Sequence, residues 1–180
     1  MMRLTQTLGL CVLLLISSAA FAAKDPAAFF DQSLGDFSEE LDVAKEEGKK
    51  GVLLYFEMDE CPFCSWMKSN VLNEPEVQAY FREHFKIYKV DIEGDVEIAD
   101  FEGNMVSEKN FSQKQHRVRA TPVFGFFDLE GKKITRYTGK TRNTEEFLWL
   151  GEYVAGEIYK QPRMSFNKYK RQKRAEQQGR

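Results

Sequence analysis

Histidine is scarce in this chain. Only His84 and His116 occur, thirty-two positions apart, far outside a compact His–His clip. A structural zinc site needs two ligand pairs at matching spacing, so zinc is a poor reading of anything else in the sequence. Cysteine is nearly as sparse, with three in all. Cys11 lies in a short apolar run near the start, without the apolar stretch ahead of it that a lipoprotein signal needs. That run, CVLLLISS, is too short to span a bilayer comfortably, which argues against a retained anchor. No internal repeat is visible, and no dimerisation arm. Length is limiting too: 180 residues suffice for one ordinary domain with a proper core and fall short of two.

The first residues read as something to be removed. MMRLTQTLGL carries one positive charge (Arg3), the apolar run follows, and Ala20-Phe21-Ala22 has the small-x-small pattern of a cleavage site. Residues 1–22 are therefore expected to be a secretory signal cut after Ala22, residues 23–159 a domain, and residues 160–180 a tail. The remaining cysteines, Cys61 and Cys64, then work in an exported, oxidising place.

Losing Arg3 takes the formal net charge from −2 to −3, and this small total hides an asymmetry. The tail holds eight basic residues and one acidic, Glu176, so it is about +7 and the body about −10. Such a body does not favour nucleic acid. The tail reads either as a solvated, disordered end or as a contact for an acidic surface, lipid or carrier protein.

Local signals predict the order helix, strand, helix, strand, helix, strand, strand, helix. Asp36 with Glu39 caps a helix that ends at Gly48. Val52 to Phe56 is a continuous apolar run, the pattern of a strand buried on both faces. Pro62 starts a second helix and Pro75 starts or restarts one through about His84. Ile87 to Asp91 is the next strand, residues 94–105 a short hairpin-like excursion, and Ser107 to His116 a capped helix. Residues 121–139, TPVFGFFDLEGKKITRYTG, hold two strands joined by an Asp-Leu-Glu-Gly turn. Asn143 caps a closing helix through about Gly156, and the tail is expected to hold a short helix that frays. A strand–helix–strand unit plus a late hairpin implies an α/β fold, a mixed central sheet with helices on both faces.

The pair in ECPFCS then needs an explanation. A structural disulfide across two residues closes a very short loop and removes little chain entropy. Covalent haem attachment needs His directly after the second cysteine, and Ser65 stands there. Redox chemistry fits better. The pair follows a buried strand, at the end where open sheets present ligands. Cys61 opens a helix whose free N–H groups and dipole favour a thiolate, although Asp59 and Glu60 oppose it. Cys64, one turn on, can resolve a mixed disulfide.

CPFC after a buried strand, Lys89 in the next strand, and Thr121-Pro122 before a hairpin together resemble the thioredoxin superfamily over roughly Leu34 to Gly156. NEPEV, VDIEGD, RVRATP, FFDLEGK and YVAGEIY are similar to the exported thioredoxins of sulfur-oxidation systems and to the DsbD carboxyl-terminal domain. The resemblance implies that Cys61 attacks and Cys64 resolves. It makes Pro122 a cis-proline against the disulfide, with Thr121, Pro62 and Phe63 meeting the substrate. Lys89 takes the buried lysine position and is, like Glu57, a candidate for the proton relay. The acidic residue that thioredoxins place six positions before the first cysteine is Tyr55 here, and Trp66 lies after the motif instead of before it. Glu57 is the substitute proton relay, with a solvated edge carboxylate as its plainer reading.

The implied activity is thiol–disulfide exchange without a cofactor. Pro-Phe between the cysteines suggests a potential of roughly −180 to −270 mV. The expected partners are disulfides of exported, periplasmic proteins and a membrane thiol electron donor of DsbD type, with the chain itself a monomer. The competing class is a non-catalytic binding module of the same fold, holding copper(I) through Cys61, Cys64 and Met58.

Overall fold

In the computed structural model, which describes residues 25–179, β1 (Gly51–Glu57) is the strand on which everything else is hung. Val52 to Phe56 are buried without alternation because both faces of the strand are covered. It pairs in parallel with β2 (Phe85–Asp91) and antiparallel with β5 (Val123–Phe127), which in turn pairs antiparallel with β6 (Lys133–Thr138). The sheet order is β2-β1-β5-β6. Parallel neighbours need a long crossover, supplied by α2 (Pro62–Met67) and α3 (Pro75–His84). The β5–β6 hairpin closes through Gly131, whose N–H donates to the Asp128 carbonyl at 3.0 Å with φ +74°.

Period-two alternation sends side chains to two cores. Leu53, Tyr55, Phe124 and Phe126 face α3, α5 (Thr144–Ala155) and a 3-10 turn at Pro26–Phe29. Val52, Leu54, Phe56, Tyr88 and Phe127 face α1 (Phe37–Glu46), Ile98 of the two-stranded β3 (Glu97–Ala99) and β4 (Met105–Ser107), and Phe111. The expected mixed sheet with helices on both faces is what forms. On the first face Phe81 and Phe147 stack with centroids 4.4 Å apart. Helices α3 and α5 approach so closely that a Cβ on Gly151 would sit 2.8 Å from Tyr80 Cε1.

Caps follow the sequence. The Asp36 carboxylate accepts from the N–H groups of Ser38 and Glu39, and Asn143 Oδ1 from that of Glu146. The expected helix over Ser107–His116 is a short α4 (Glu108–Asn110) continued by a wider turn, Phe111–Gln115. The hairpin-like excursion is real, reaching Ser107.

The tail departs from expectation. Five of its eight basic residues lie in α6 (Phe166–Gln178), and this helix is docked rather than solvated. Tyr153 of α5 packs on Phe166 and Tyr169, at 5.7 and 5.9 Å. The buried Glu146 carboxylate takes Lys170 and Arg174, each at 2.8 Å, while Lys173 pairs with Glu152. Much of the tail's charge is thus consumed inside the molecule. The expected signal, residues 1–22, lies outside the described residues. Among the described residues, no helix is long and apolar enough to cross a membrane.

Candidate active site

Beyond Glu57 the chain leaves the sheet, and Glu60, in the left-handed region at φ +54°, turns it into α2. Cys61 is the N-cap, with extended backbone, and its Sγ accepts from the Cys64 N–H at 3.1 Å. Pro62 occupies the first helical position, where a missing N–H costs nothing. One turn separates the cysteines, and they form a disulfide with Cα atoms 5.2 Å apart. Both residues are buried, Cys61 at 5% exposure and Cys64 at 2%.

The Thr121–Pro122 peptide is cis, and Thr121 Oγ1 donates to Cys61 Sγ at 3.2 Å. Sixty residues of chain are folded back to place that turn on Cys61 Sγ. Pro122 is buried and leads into β5. Phe63 projects from α2, 54% exposed. Lys140 Nζ lies 4.2 Å over the Trp66 ring and 5.9 Å from that of Phe63, a contact between the β6–α5 loop and α2 that local sequence does not announce.

Under the disulfide, Tyr55 is buried and its hydroxyl donates to the Cys64 carbonyl at 3.4 Å. Burial above all, and then the nearby Glu57 charge, pushes this phenol far above its ordinary range. It stays protonated and cannot serve as the carboxylate it replaces. Glu57 does reach the site. It lines a cavity of about 290 Å³ with Met58, Asp59, Glu60, Cys61, Cys64, Ser65, Lys68 and Asp91. Its carboxylate is 16% exposed and bonded to Lys68 Nζ at 2.6 Å. The solvated-edge reading of Glu57 therefore fails. Lys68 was missed because it pairs across eleven residues, although its position four after Cys64, on the same helical face, was a usable signal.

Lys89 does not take the role expected of it. It is opposite Tyr55 in the β1–β2 register, yet exposed. The reason is Phe30, which follows the N-terminal turn, packs on Tyr55 at 5.4 Å, and has the Lys89 ammonium 5.7 Å from its centroid. The space a buried lysine would use is filled by an aromatic ring. The two histidines are held apart, His84 stacked on Tyr80 and His116 among Phe111 and Phe127.

A family model described as a thioredoxin-like domain matches residues 37–155. The chain belongs to that thioredoxin-like family. No curated protein matches it in sequence. Among solved structures it is similar to a thioredoxin-fold protein from Helicobacter pylori, at 24% identity and TM-score 0.57, covering 71% of this chain and 82% of that one. It is also similar to a thioredoxin from Thermus thermophilus, at 24% and 0.53, covering 74% and 100%. A putative disulphide-isomerase from Bacteroides thetaiotaomicron follows at 23% and 0.54, covering 71% and 92%. At such identities the likeness speaks for the fold alone. The thioredoxin-like fold together with the bonded Cys61–Cys64 pair supports thiol–disulfide redox chemistry.

Proposed function

We propose that this protein is an exported thiol–disulfide oxidoreductase that reduces disulfides of periplasmic proteins through the Cys61–Cys64 dithiol. The observation that carries the reading is the bonded pair at the head of α2 with the cis Thr121–Pro122 turn against Cys61 Sγ. The Cys61 thiolate attacks one sulfur of a substrate disulfide, releasing the other as a thiolate and leaving a mixed disulfide. Cys64 then attacks Cys61 Sγ, the mixed disulfide breaks, and the second substrate thiol departs. The helix terminus favours the Cys61 thiolate, and the Thr121 hydroxyl is placed to donate to it. Phe63, Pro62 and the Thr121–Pro122 turn form the surface a substrate chain would touch. A membrane thiol donor of DsbD type would return the two electrons.

Cys64→Ser should accumulate mixed disulfides with exported proteins, released by dithiothreitol, and the wild type should accelerate insulin reduction. Absence of both would refute the assignment. The copper-handling reading keeps one point in its favour, that Met58 lines the same cavity as both sulfurs. Tight copper(I) binding by the reduced protein, without disulfide turnover, would replace the oxidoreductase reading.

A further inference from the structure

We infer that the Glu57–Lys68 ion pair is the proton relay for the resolving thiol, with Glu57 the acceptor and Lys68 the positioning residue. This rests on the oxidoreductase reading above. Where the family's pattern has an acid six positions before the first cysteine, this chain has Tyr55, whose hydroxyl is spent on the Cys64 carbonyl. The lysine opposite Tyr55, Lys89, is exposed beyond Phe30. Both usual members of a relay are thus absent from the sulfur pair, and a second acid–base couple stands in the cavity that the sulfurs line. Glu57 extends from the last residue of β1, on the same strand face as Tyr55. Lys68 comes from one turn past Cys64, its backbone N–H donating to the Cys64 carbonyl. Its ammonium meets the Glu57 carboxylate at 2.6 Å. One cation from just past Cys64 therefore ties a carboxylate into the cavity that Cys64 also lines.

The proton balance is closed. In the mixed disulfide Cys64 is a thiol; its proton passes to Glu57, directly or through one water, and the Cys64 thiolate attacks Cys61 Sγ. The Cys61–Cys64 bond forms as the bond from Cys61 to the substrate sulfur breaks, oxidising the dithiol and reducing the substrate by two electrons. The departing substrate thiolate takes up the proton held by Glu57. Lys68 holds the carboxylate in place between turnovers. The other charged groups facing Glu57 are Asp91, its partner across the β1–β2 register, and Asp59 and Glu60 on the cavity wall.

The test separates resolution from attack by following collapse of a preformed mixed disulfide between full-length protein and a thionitrobenzoate leaving group, across pH. Glu57→Gln should slow collapse about a hundredfold at neutral pH, the lower end of general-base contributions. The deficit should shrink as pH rises and solvent deprotonates Cys64 unaided. Lys68→Met should slow collapse as well, because nothing then holds the Glu57 carboxylate in the cavity, and Lys68→Arg should restore the rate. Thermal melts of each variant report folding separately. A Glu57→Gln protein with wild-type collapse rates and pH profile overturns the inference, as does transfer of the effect to Asp91→Asn. Failure of the mixed disulfide to form at all would instead sink the oxidoreductase reading.

Discussion

Replacing His116 by Phe should flatten the acid side of the stability curve. The imidazole is packed edge-to-face against Phe111 and Phe127, with centroids at 4.4 and 5.0 Å. Its Nε2 is buried and finds no hydrogen-bond partner among the described residues. Burial, reinforced by Lys133 and only partly offset by Asp100, lowers its pKa from 6.5 to about 4. The sign follows from linkage. The unfolded chain takes up this proton near its ordinary value and the native protein does not, so the contribution is full above about pH 6.5 and is lost as pH falls toward about 4. Each pH unit in that window costs about 1.4 kcal/mol. Because His116 is only half-buried, solvent screening trims the whole effect to about 2 kcal/mol. Against a domain stability of about 5–15 kcal/mol, that is measurable. Urea unfolding of wild type and His116→Phe at half-unit intervals from pH 7 to pH 4 isolates it, because shared carboxylates cancel in the difference. Phe fits the aromatic surroundings and removes an unpaired nitrogen, so the variant should match or exceed wild type at pH 7 and lead by about 2 kcal/mol more at pH 4. Parallel curves would show that His116 is protonated without penalty, and the account of that core would be wrong.

Other perturbations give equally definite outcomes. Gly151→Ala puts a Cβ 2.8 Å from Tyr80 and 2.9 Å from Phe81, so calorimetry should show a loss of about 1–3 kcal/mol from overpacking. Asp36→Ala removes the acceptor for two N–H groups at the start of α1 and should cost about 1 kcal/mol in denaturant unfolding without changing insulin reduction. Glu146→Ala strands two cations. The loss should be about 2 kcal/mol, below the figure for a fully buried pair because Arg174 is 39% exposed, and amide exchange should accelerate across α6 before the rest of the domain.

What could be read in advance was whatever rests on local chemistry. A run of five buried residues announces a covered strand, a proline after Cys61 announces a helix start, and Asn143 announces α5, because each signal acts within a turn of itself. The dithiol was legible for the same reason, its two sulfurs being one helical turn apart. The relay was only half legible. Glu57 was visible as an acid beside the motif, but its partner depends on how β1 and α2 meet, and the expectation for Lys89 failed through Phe30, a residue 59 positions earlier in the chain that occupies the space between Lys89 and Tyr55.

The tail shows the same limit from the opposite direction. A stretch this basic, taken alone, cannot bury enough apolar surface to order itself, which is why composition reads it as a solvated end. Its structure depends on features in another helix: Tyr153, an aromatic surface for Phe166 and Tyr169, and Glu146, a carboxylate placed on the buried side of α5. An acid at 3% exposure in an amphipathic helix is itself the informative anomaly, because a buried charge demands a partner. Once α5 is laid against the sheet, Glu146 needs cations from outside its own helix, and Lys170 and Arg174, four residues apart on one face of α6, are spaced to supply them. Charge that looked like a surface for a foreign partner is in good part the complement of an acid in the protein's own core, and among the described residues Lys160, Arg163, Lys168 and Arg171 are left as exposed cations along this segment.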